Sequence, residues 1–333
     1  MKLIIQIPCY NEAETLAITL KDLPREMPGF SRVEWLVIND GSTDRTGEIA
    51  RACGVDHIIS FTGNRGLAQA FLAGLDAAVR LGADVIVNTD ADNQYMAADI
   101  PALTAPILAG EADVVVGARP IGQIDSFSGI KKMLQRAGSA VVRFVSKTDV
   151  PDAPSGFRAM NREAAMRFNV FNEYTYTLET IIQAGQKGVT ITSVPVRVNP
   201  ALRPSRLVKS IPSYLGKSFL TIIRIFVVYK AFRFFMSVGL MLFCTGLLGG
   251  FRFLYYYISG SGSGHVQSLI FSSILLGIGF QTMLTAFLAD LLAVNRRLME
   301  DVQYRVKKLE FPGTIDRQTD DRTKRSEWPV GSK

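Results

Sequence analysis

The chain has 333 residues, 48% of them hydrophobic, a formal net charge of +7 and a mean hydropathy of +0.18. That length admits two domains, and a positive mean hydropathy beside 20% charged residues excludes a uniformly polar surface: a polar part and a very apolar part are expected. Three cysteines far apart, Cys9, Cys53 and Cys244, have no metal-type spacing; they argue against a disulfide framework and for a reducing compartment.

From Leu3 to about Arg119, short apolar runs alternate with helical stretches. The start, Met1 to Pro8, turns polar too quickly for a signal peptide and reads as the first strand. Strands are predicted at Leu3–Ile7, Trp35–Ile38, His57–Ser60, Val85–Asn88 and Val114–Gly117, with helices at Glu14–Leu23, Thr46–Ala52, Leu67–Arg80 and Asp99–Leu108. Such alternation implies an α/β domain with a mostly parallel sheet covered on both faces. In such a sheet ligands bind beyond the carboxyl ends of the strands, so the loops after Ile7, Ile38 and Asn88 are expected to meet.

Those loops carry chemistry. Asn88-Thr89-Asp90-Ala91-Asp92-Asn93-Gln94 sets two carboxylates one residue apart at a strand end. They are poor neighbours unless a cation lies between them, and Mg²⁺ is typically held by one or two carboxylates together with substrate phosphates. A plain polar strand-end loop is the competing reading. After the second strand, Asp40 is suited to accept from a base or ribose hydroxyl, Gly41 permits a tight turn, and Asp44 reads as a helix cap. Arg65 in Asn64-Arg65-Gly66 is either a surface charge or a phosphate contact.

The Pro8-Cys9-Tyr10-Asn11-Glu12 loop, Asp40-Gly41-Ser42-Thr43-Asp44, Asn64-Arg65-Gly66 and Asp90-Ala91-Asp92 occur in one ordered set that closely resembles the GT-A fold, family 2 glycosyltransferases. The resemblance covers roughly the first 200 residues and implies a nucleotide-sugar donor. It implies that Pro8, Tyr10, Glu12 and Asp40 line the nucleotide pocket, that Asp90 lies near the ribose and diphosphate, and that Asp92 ligates Mg²⁺ or Mn²⁺, with Asp90 beside it as the second metal carboxylate.

Arg119, at the end of the fifth strand, is either a diphosphate contact or a satisfied surface arginine. A basic, helix-compatible segment follows from Ser126 to Ser146. Asp152-Ala153-Pro154-Ser155-Gly156-Phe157-Arg158 is similar to the acceptor-side strand of polyprenyl-phosphate glycosyltransferases of the dolichyl-phosphate mannose synthase and bacterial glucosyltransferase type. By that likeness Asp152 is a base or acceptor-orienting group and Arg158 a phosphate clamp, suited by its planar fork. Glu173 and Glu179 read as helix-terminus acids outside the chemistry. After a strand at Val189–Val198, the proline-rich loop bearing Arg203 and Arg206 is a surface connection or a lid over phosphates, the same enzymes implying the second.

From Ile211 to Arg233, Lys217, Arg224, Lys230 and Arg233 alternate with apolar residues at helical spacing, as in an amphipathic helix lying in a membrane interface. Phe234–Ile258 and Val266–Ala289 are each long enough to cross about 30 Å of hydrocarbon, and the short loop between them makes a hairpin of two transmembrane helices. Lys and Arg crowd the outer flanks (Lys230, Arg233, Arg296, Arg297, Arg305, Lys307, Lys308), which puts the catalytic domain and both ends on the cytoplasmic side. Tyr255, Tyr256 and Tyr257 then mark the far interface, with Arg252 snorkelling there. From Pro312 the tail is polar and disorder is expected.

The expected boundaries are residues 1–205 for the catalytic domain, 206–233 for interfacial helices, 234–294 for the spans and 295–333 for a basic helix and tail. The expected reaction is inverting transfer of one sugar from a UDP- or GDP-sugar to a polyprenyl phosphate, with membrane association, a homo-oligomer such as a tetramer and no nucleic-acid partner. Two alternatives stand beside it: a glycosyltransferase extending a lipid-linked saccharide or an exported polymer, and a membrane scaffold that binds a nucleotide sugar without turning it over.

Overall fold

A computed structural model of the chain describes residues 1–120, 139–140, 142–143, 146, 148–170, 176–200, 230–260 and 262–311. The chain divides into two compact units, one formed by Met1–Ile211 with the chain from Asp301, the other by Pro212–Glu300.

The first unit is built on a seven-stranded sheet. Its strands are β1 (Lys2–Cys9), β2 (Arg32–Asn39), β3 (His57–Ser60), β4 (Val85–Asn88), β5 (Val114–Ala118), β6 (Arg158–Asn161) and β7 (Ile191–Pro195), in the spatial order β3-β2-β1-β4-β6-β5-β7. All pairings are parallel except those of β6, which runs antiparallel to both β4 and β5. The apolar runs are continuous because both faces are covered. Leu3, Ile5, Ile7, Val85 and Val87 bury one face with α1 (Leu16–Asp22), α2 (Thr46–Ala52) and α4 (Ile100–Leu108). Ile4, Leu36, Ile38 and Ile86 bury the other with α3 (Leu67–Arg80), α5 (Arg162–Arg167) and α6 (Thr177–Lys187).

The predicted β3, β4, α2 and α3 match the observed ends, while β1 and β2 run one to three residues longer at each end because pairing continues across Lys2↔Arg32 and Cys9↔Asn39. Register settles what the sequence left open at β6. Arg158 lies opposite Asn88 of β4 and Val116 of β5, so an antiparallel strand begins where its parallel neighbours end. The loop leading into it, Asp152–Phe157, therefore joins the carboxyl rim.

The second unit is a helical hairpin. Helix α7 (Ala231–Ile258) and α8 (Val266–Glu310) are long and apolar enough to cross a membrane. Apart from Glu300, the residues they bury are small and seven apart: Gly239 and Gly246 on α7, Ser272, Gly279 and Ala286 on α8. A Cβ at Gly246 would lie 2.9 Å from Leu276 N and 3.0 Å from Ser272 O, and one at Gly239 2.9 Å from Gly279 O. Small side chains let the two backbones approach, which is how helices pack where lipid removes the hydrophobic drive. α8 continues without a break to Glu310 and so includes the Arg296–Lys308 basic stretch. Its last turns belong to the first unit, where Tyr304 Oη donates to Glu163 Oε1 at 3.1 Å and Lys307 pairs with Asp76 at 3.1 Å. The proposed interfacial helix up to residue 229, the Ser126–Ser146 segment except a few residues, and the tail from Pro312 lie outside the described residues.

Candidate active site

The rim gathers the loops after β1, β2, β4, β5 and β7 and the loop before β6. The first two are knitted together. Asn11 N–H donates to Ser42 Oγ at 3.0 Å, Glu12 N–H to Thr46 Oγ1 at 2.9 Å, and Thr43 N–H to Asn11 Oδ1 at 2.8 Å. Asp44 accepts from the N–H of Thr46 at 3.0 Å, a helix-capping contact, and also from Ala13 N–H at 3.1 Å. It therefore caps α2 and ties it to the first loop, and these hydrogen bonds hold its carboxyl below the usual range against the opposing effect of burial. Asn11 takes a left-handed φ of 54°, a conformation asparagine tolerates better than most residues.

Pro8 is buried in β1 and Tyr10 is exposed beyond it, while Glu12 Oε2 accepts from Thr15 Oγ1 at 2.8 Å. Asp40 is buried, and its two oxygens accept from Arg65 N–H at 2.7 Å and Gly66 N–H at 3.0 Å, which anchors the start of α3. Gly41 adopts φ 65°, and a Cβ there would collide with the Gly63–Asn64 backbone, so only glycine fits between these loops.

Asp90 and Asp92 are both partly exposed. Burial, the charge of Asp92 and that of Glu12 push the Asp90 carboxyl up to about 7, with Arg119 and Arg158 opposing. Asp92 Oδ1 accepts from Gln94 N–H at 3.1 Å, which fixes the carboxylate in a local turn. Among the described residues no cluster of three or more His, Cys, Asp or Glu side chains forms a self-sufficient metal cage. Two neighbouring carboxylates match the donor set of a hard divalent ion that takes its remaining oxygens from phosphate and water.

Arg119 and Asp152 meet beside this pair. Arg119 Nε donates to Asp152 Oδ2 at 2.7 Å, Nη2 to Oδ1 at 3.0 Å, and the Arg119 backbone N–H to Oδ2 at 3.2 Å. Burial works against the guanidinium charge, but Tyr95, Asp152 and Asp90 outweigh it and hold Arg119 firmly protonated. Arg119 is thus a cation satisfied by Asp152 and held near Asp90, a contact that separates neither of the two roles read for it, diphosphate contact or satisfied arginine. Asp152 is 1% exposed, an environment suited to holding a cation in place.

Arg158 is more deeply enclosed than Arg119. It too is 1% exposed, with Nε donating to Ser155 O and Nη2 to Ala153 O, both at 2.8 Å, and Nη1 donating to Thr180 Oγ1. Burial pulls it down to about 10, against the pull of Tyr176, Tyr95 and nearby carboxylates. These bonds brace the loop that carries Asp152. Arg203 and Arg206 lie outside the described residues.

Sequence reasoning passed over the side chains that hold this loop. Tyr95 Oη accepts from Gly156 N–H at 2.9 Å, and Asn88 Nδ2 donates to Gly156 O at 2.8 Å and to Tyr176 Oη at 3.0 Å. A Cβ at Gly156 would lie 3.0 Å from both Asp90 Oδ1 and Tyr176 Oη. Asn88 and Tyr95 flank the acidic motif within a few residues, a signal available in the sequence. Tyr176 is far away in the chain and only the α6 packing brings it in.

The family description "Glycosyl transferase family 2" matches residues 4–168. Polyprenol monophosphomannose synthase of Mycolicibacterium smegmatis is 28% identical over 204 residues, 58% of this chain and 76% of that one. Glycosyltransferase AglJ of Haloferax volcanii is 29% identical over 308 residues, 90% of this chain and 96% of that one, so its likeness extends into the region of the two long apolar helices. In fold, a crystal structure of glucosyl-3-phosphoglycerate synthase from Mycobacterium tuberculosis with Mn²⁺, UDP and glucosyl-3-phosphoglycerate superposes with a TM-score of 0.53 at 20% identity, over 68% of this chain and 78% of that one. The likeness in sequence and in fold falls on the sheet whose rim brings Asp90 and Asp92 together, and on that ground the chain belongs to glycosyl transferase family 2 and is a glycosyltransferase.

Proposed function

We propose that the protein transfers a single sugar, with inversion, from a nucleoside-diphosphate sugar to a polyprenyl phosphate at the cytoplasmic leaflet. The observation that carries this reading is an acidic pair, Asp90 and Asp92, with the Asp152-held cation of Arg119 near Asp90, in a chain that also holds two helices long enough to span a membrane. The names of relatives support the acceptor class, since one is a polyprenol monophosphomannose synthase. The Mn²⁺ and UDP bound by the structural neighbour support a divalent ion and a nucleoside diphosphate.

In this mechanism the nucleoside lies against Pro8, Tyr10, Glu12 and Asp40, on the loops that Asn11 and Asp44 tie together. Asp92 and Asp90 would hold a divalent ion. A divalent cation there supplies neutralisation of the negative charge that gathers on the leaving diphosphate. An acceptor phosphate oxygen attacks the anomeric carbon as the bond to the diphosphate oxygen breaks, and the bonding pair leaves with the nucleoside diphosphate. The attacking oxygen is already anionic near neutral pH, so no strong base is required. Asp152 then serves to hold Arg119 toward the phosphates, and Arg158 to hold the Asp152 loop.

The test is a panel of radiolabelled nucleotide sugars supplied to the purified protein with polyprenyl phosphate and Mn²⁺ or Mg²⁺. A lipid product carrying one sugar, lost on adding EDTA, is expected. A ladder of longer products would replace this reading with chain extension, and donor binding without turnover across the panel would leave only a binding scaffold.

A further inference from the structure

The loop that presents Asp92 is not self-supporting. Asn93, the next residue, sits at φ 56° in the left-handed region and is 8% exposed. Its neighbours bind it from two directions. Its side-chain Nδ2 donates to Asp22 Oδ2, at the end of α1, at 3.0 Å. From the other side, Asn199 Nδ2 donates to Asn93 O at 3.0 Å and to Tyr95 O at 3.5 Å, and Asn199 N–H donates to Gln94 O at 2.8 Å. The segment just past β7 is itself pinned: Tyr95 pairs with Val198, and Arg197 donates through its backbone N–H and Nε to Asp99 at 2.6 and 3.0 Å.

We infer that Asn199 and Asp22 are positioning residues for the metal-binding carboxylate of Asp92, acting through the left-handed Asn93; this rests on the metal reading of Asp90 and Asp92 given above. The geometry of the chain makes the link short. Asp92 Oδ1 is held by the N–H of Gln94; the carbonyl of that same peptide, Asn93 O, accepts from Asn199 Nδ2, and the next carbonyl, Gln94 O, accepts from Asn199 N–H, while the Asp22 bond holds the left-handed Asn93 from the other side. Removing either clamp leaves Asp92 in place in the chain but widens the set of orientations of its carboxylate relative to Asp90. Outer groups that orient metal ligands typically change metal affinity or activity by about 10–100-fold when removed.

The experiment uses the full-length protein and measures Mn²⁺ binding directly, by electron paramagnetic resonance of free Mn²⁺, in the presence of UDP or GDP, whichever stabilises the wild type. Asn199→Ala and Asp22→Ala are each expected to weaken Mn²⁺ binding about tenfold or more, to raise the Mn²⁺ concentration for half-maximal turnover in parallel, and to recover most of the wild-type kcat at saturating Mn²⁺. Asp22 is solvent-exposed, so Asp22→Ala keeps the test valid where Asn199→Ala folds poorly. A merely structural role would lower the melting temperature of the metal-free protein and kcat while leaving the Mn²⁺ constant unchanged, and that result for Asp22→Ala would overturn the inference. If the wild type itself binds no Mn²⁺ with either nucleotide, the metal reading fails instead.

Discussion

Arg119 and Asp152 form a two-pronged ion pair in which both carboxylate oxygens face one guanidinium, and the same carboxylate also receives the Arg119 backbone N–H. The pair exists because β6 runs against its neighbours and returns its leading loop to the rim where β5 ends. Breaking a buried pair by removing one partner typically costs about 3–5 kcal/mol, whereas replacing both by apolar groups is often near neutral. Asp152→Ala is thus expected to lower unfolding stability by about that much, and Arg119→Met with Asp152→Leu to regain most of it. Both variants should be inactive, since neither presents Arg119 in its fixed position. Chemical denaturation of the full-length protein in detergent, paired with turnover, checks the two effects separately.

Asp92→Asn keeps the shape and the Gln94 N–H contact of the side chain but removes its charge. Turnover should fall below detection while circular dichroism and the melting temperature without metal stay at wild-type values. Wild-type activity in this variant would remove Asp92 from the metal site.

The Asp90 carboxyl, pushed up to about 7, gives the metal site a pH signature. A free aspartate titrates near about 4, so between those values the folded protein binds more protons than the unfolded chain. The Asp90 contribution to metal-free stability should therefore fall as pH rises from about 4 to about 7, a slope that Asp90→Asn removes. Over the upper part of that window an entering cation displaces a proton, so Mn²⁺ affinity should climb with pH and level off above about 7. Calorimetric Mn²⁺ titrations across this range should show a weaker pH dependence for Asp90→Asn than for the wild type.

Gly156→Ala places a methyl group 3.0 Å from Asp90 Oδ1 and from Tyr176 Oη. Both neighbours must shift, and the Asn88 and Tyr95 bonds to Gly156 must shift with them. The expected result is a loss of turnover larger than the modest stability loss of about 1–3 kcal/mol typical of overpacking, seen as reduced kcat at saturating donor.

The hairpin offers a geometric test. A Cβ at Gly249 lies 3.4 Å from Ser272 Cβ, close to the separation of about 3.5–4.5 Å found in disulfides. In a Cys244→Ser background, Gly249→Cys with Ser272→Cys should cross-link on mild oxidation in membranes. Adding Gly279→Leu, which drives a side chain into the Phe243 backbone, should suppress the cross-link.

Much of this was open to reading in the chain itself. The alternation of apolar runs with helical stretches is local physics, and β3, β4, α2 and α3 appear with the predicted ends. The acidic motif, the loops after β1 and β2 and the two long apolar helices are contiguous signals, so their presence needed no tertiary information. What tertiary structure alone decided is which way side chains face and which distant groups they meet. The sequence offers Arg158 only as an arginine whose planar fork suits phosphate; the register of β6 is what sets it against Ser155 O and Ala153 O. Asp152 reads as a base or acceptor-orienting group by resemblance alone; the antiparallel strand is what sets Arg119 against it. Tyr176, Asn199 and Asp22 carry no motif at all, and they matter only because packing sets them beside Gly156 and Asn93. Hydrophobic period is written along the chain, whereas the partner of a buried polar group is chosen by the fold, which must leave few such groups unpaired.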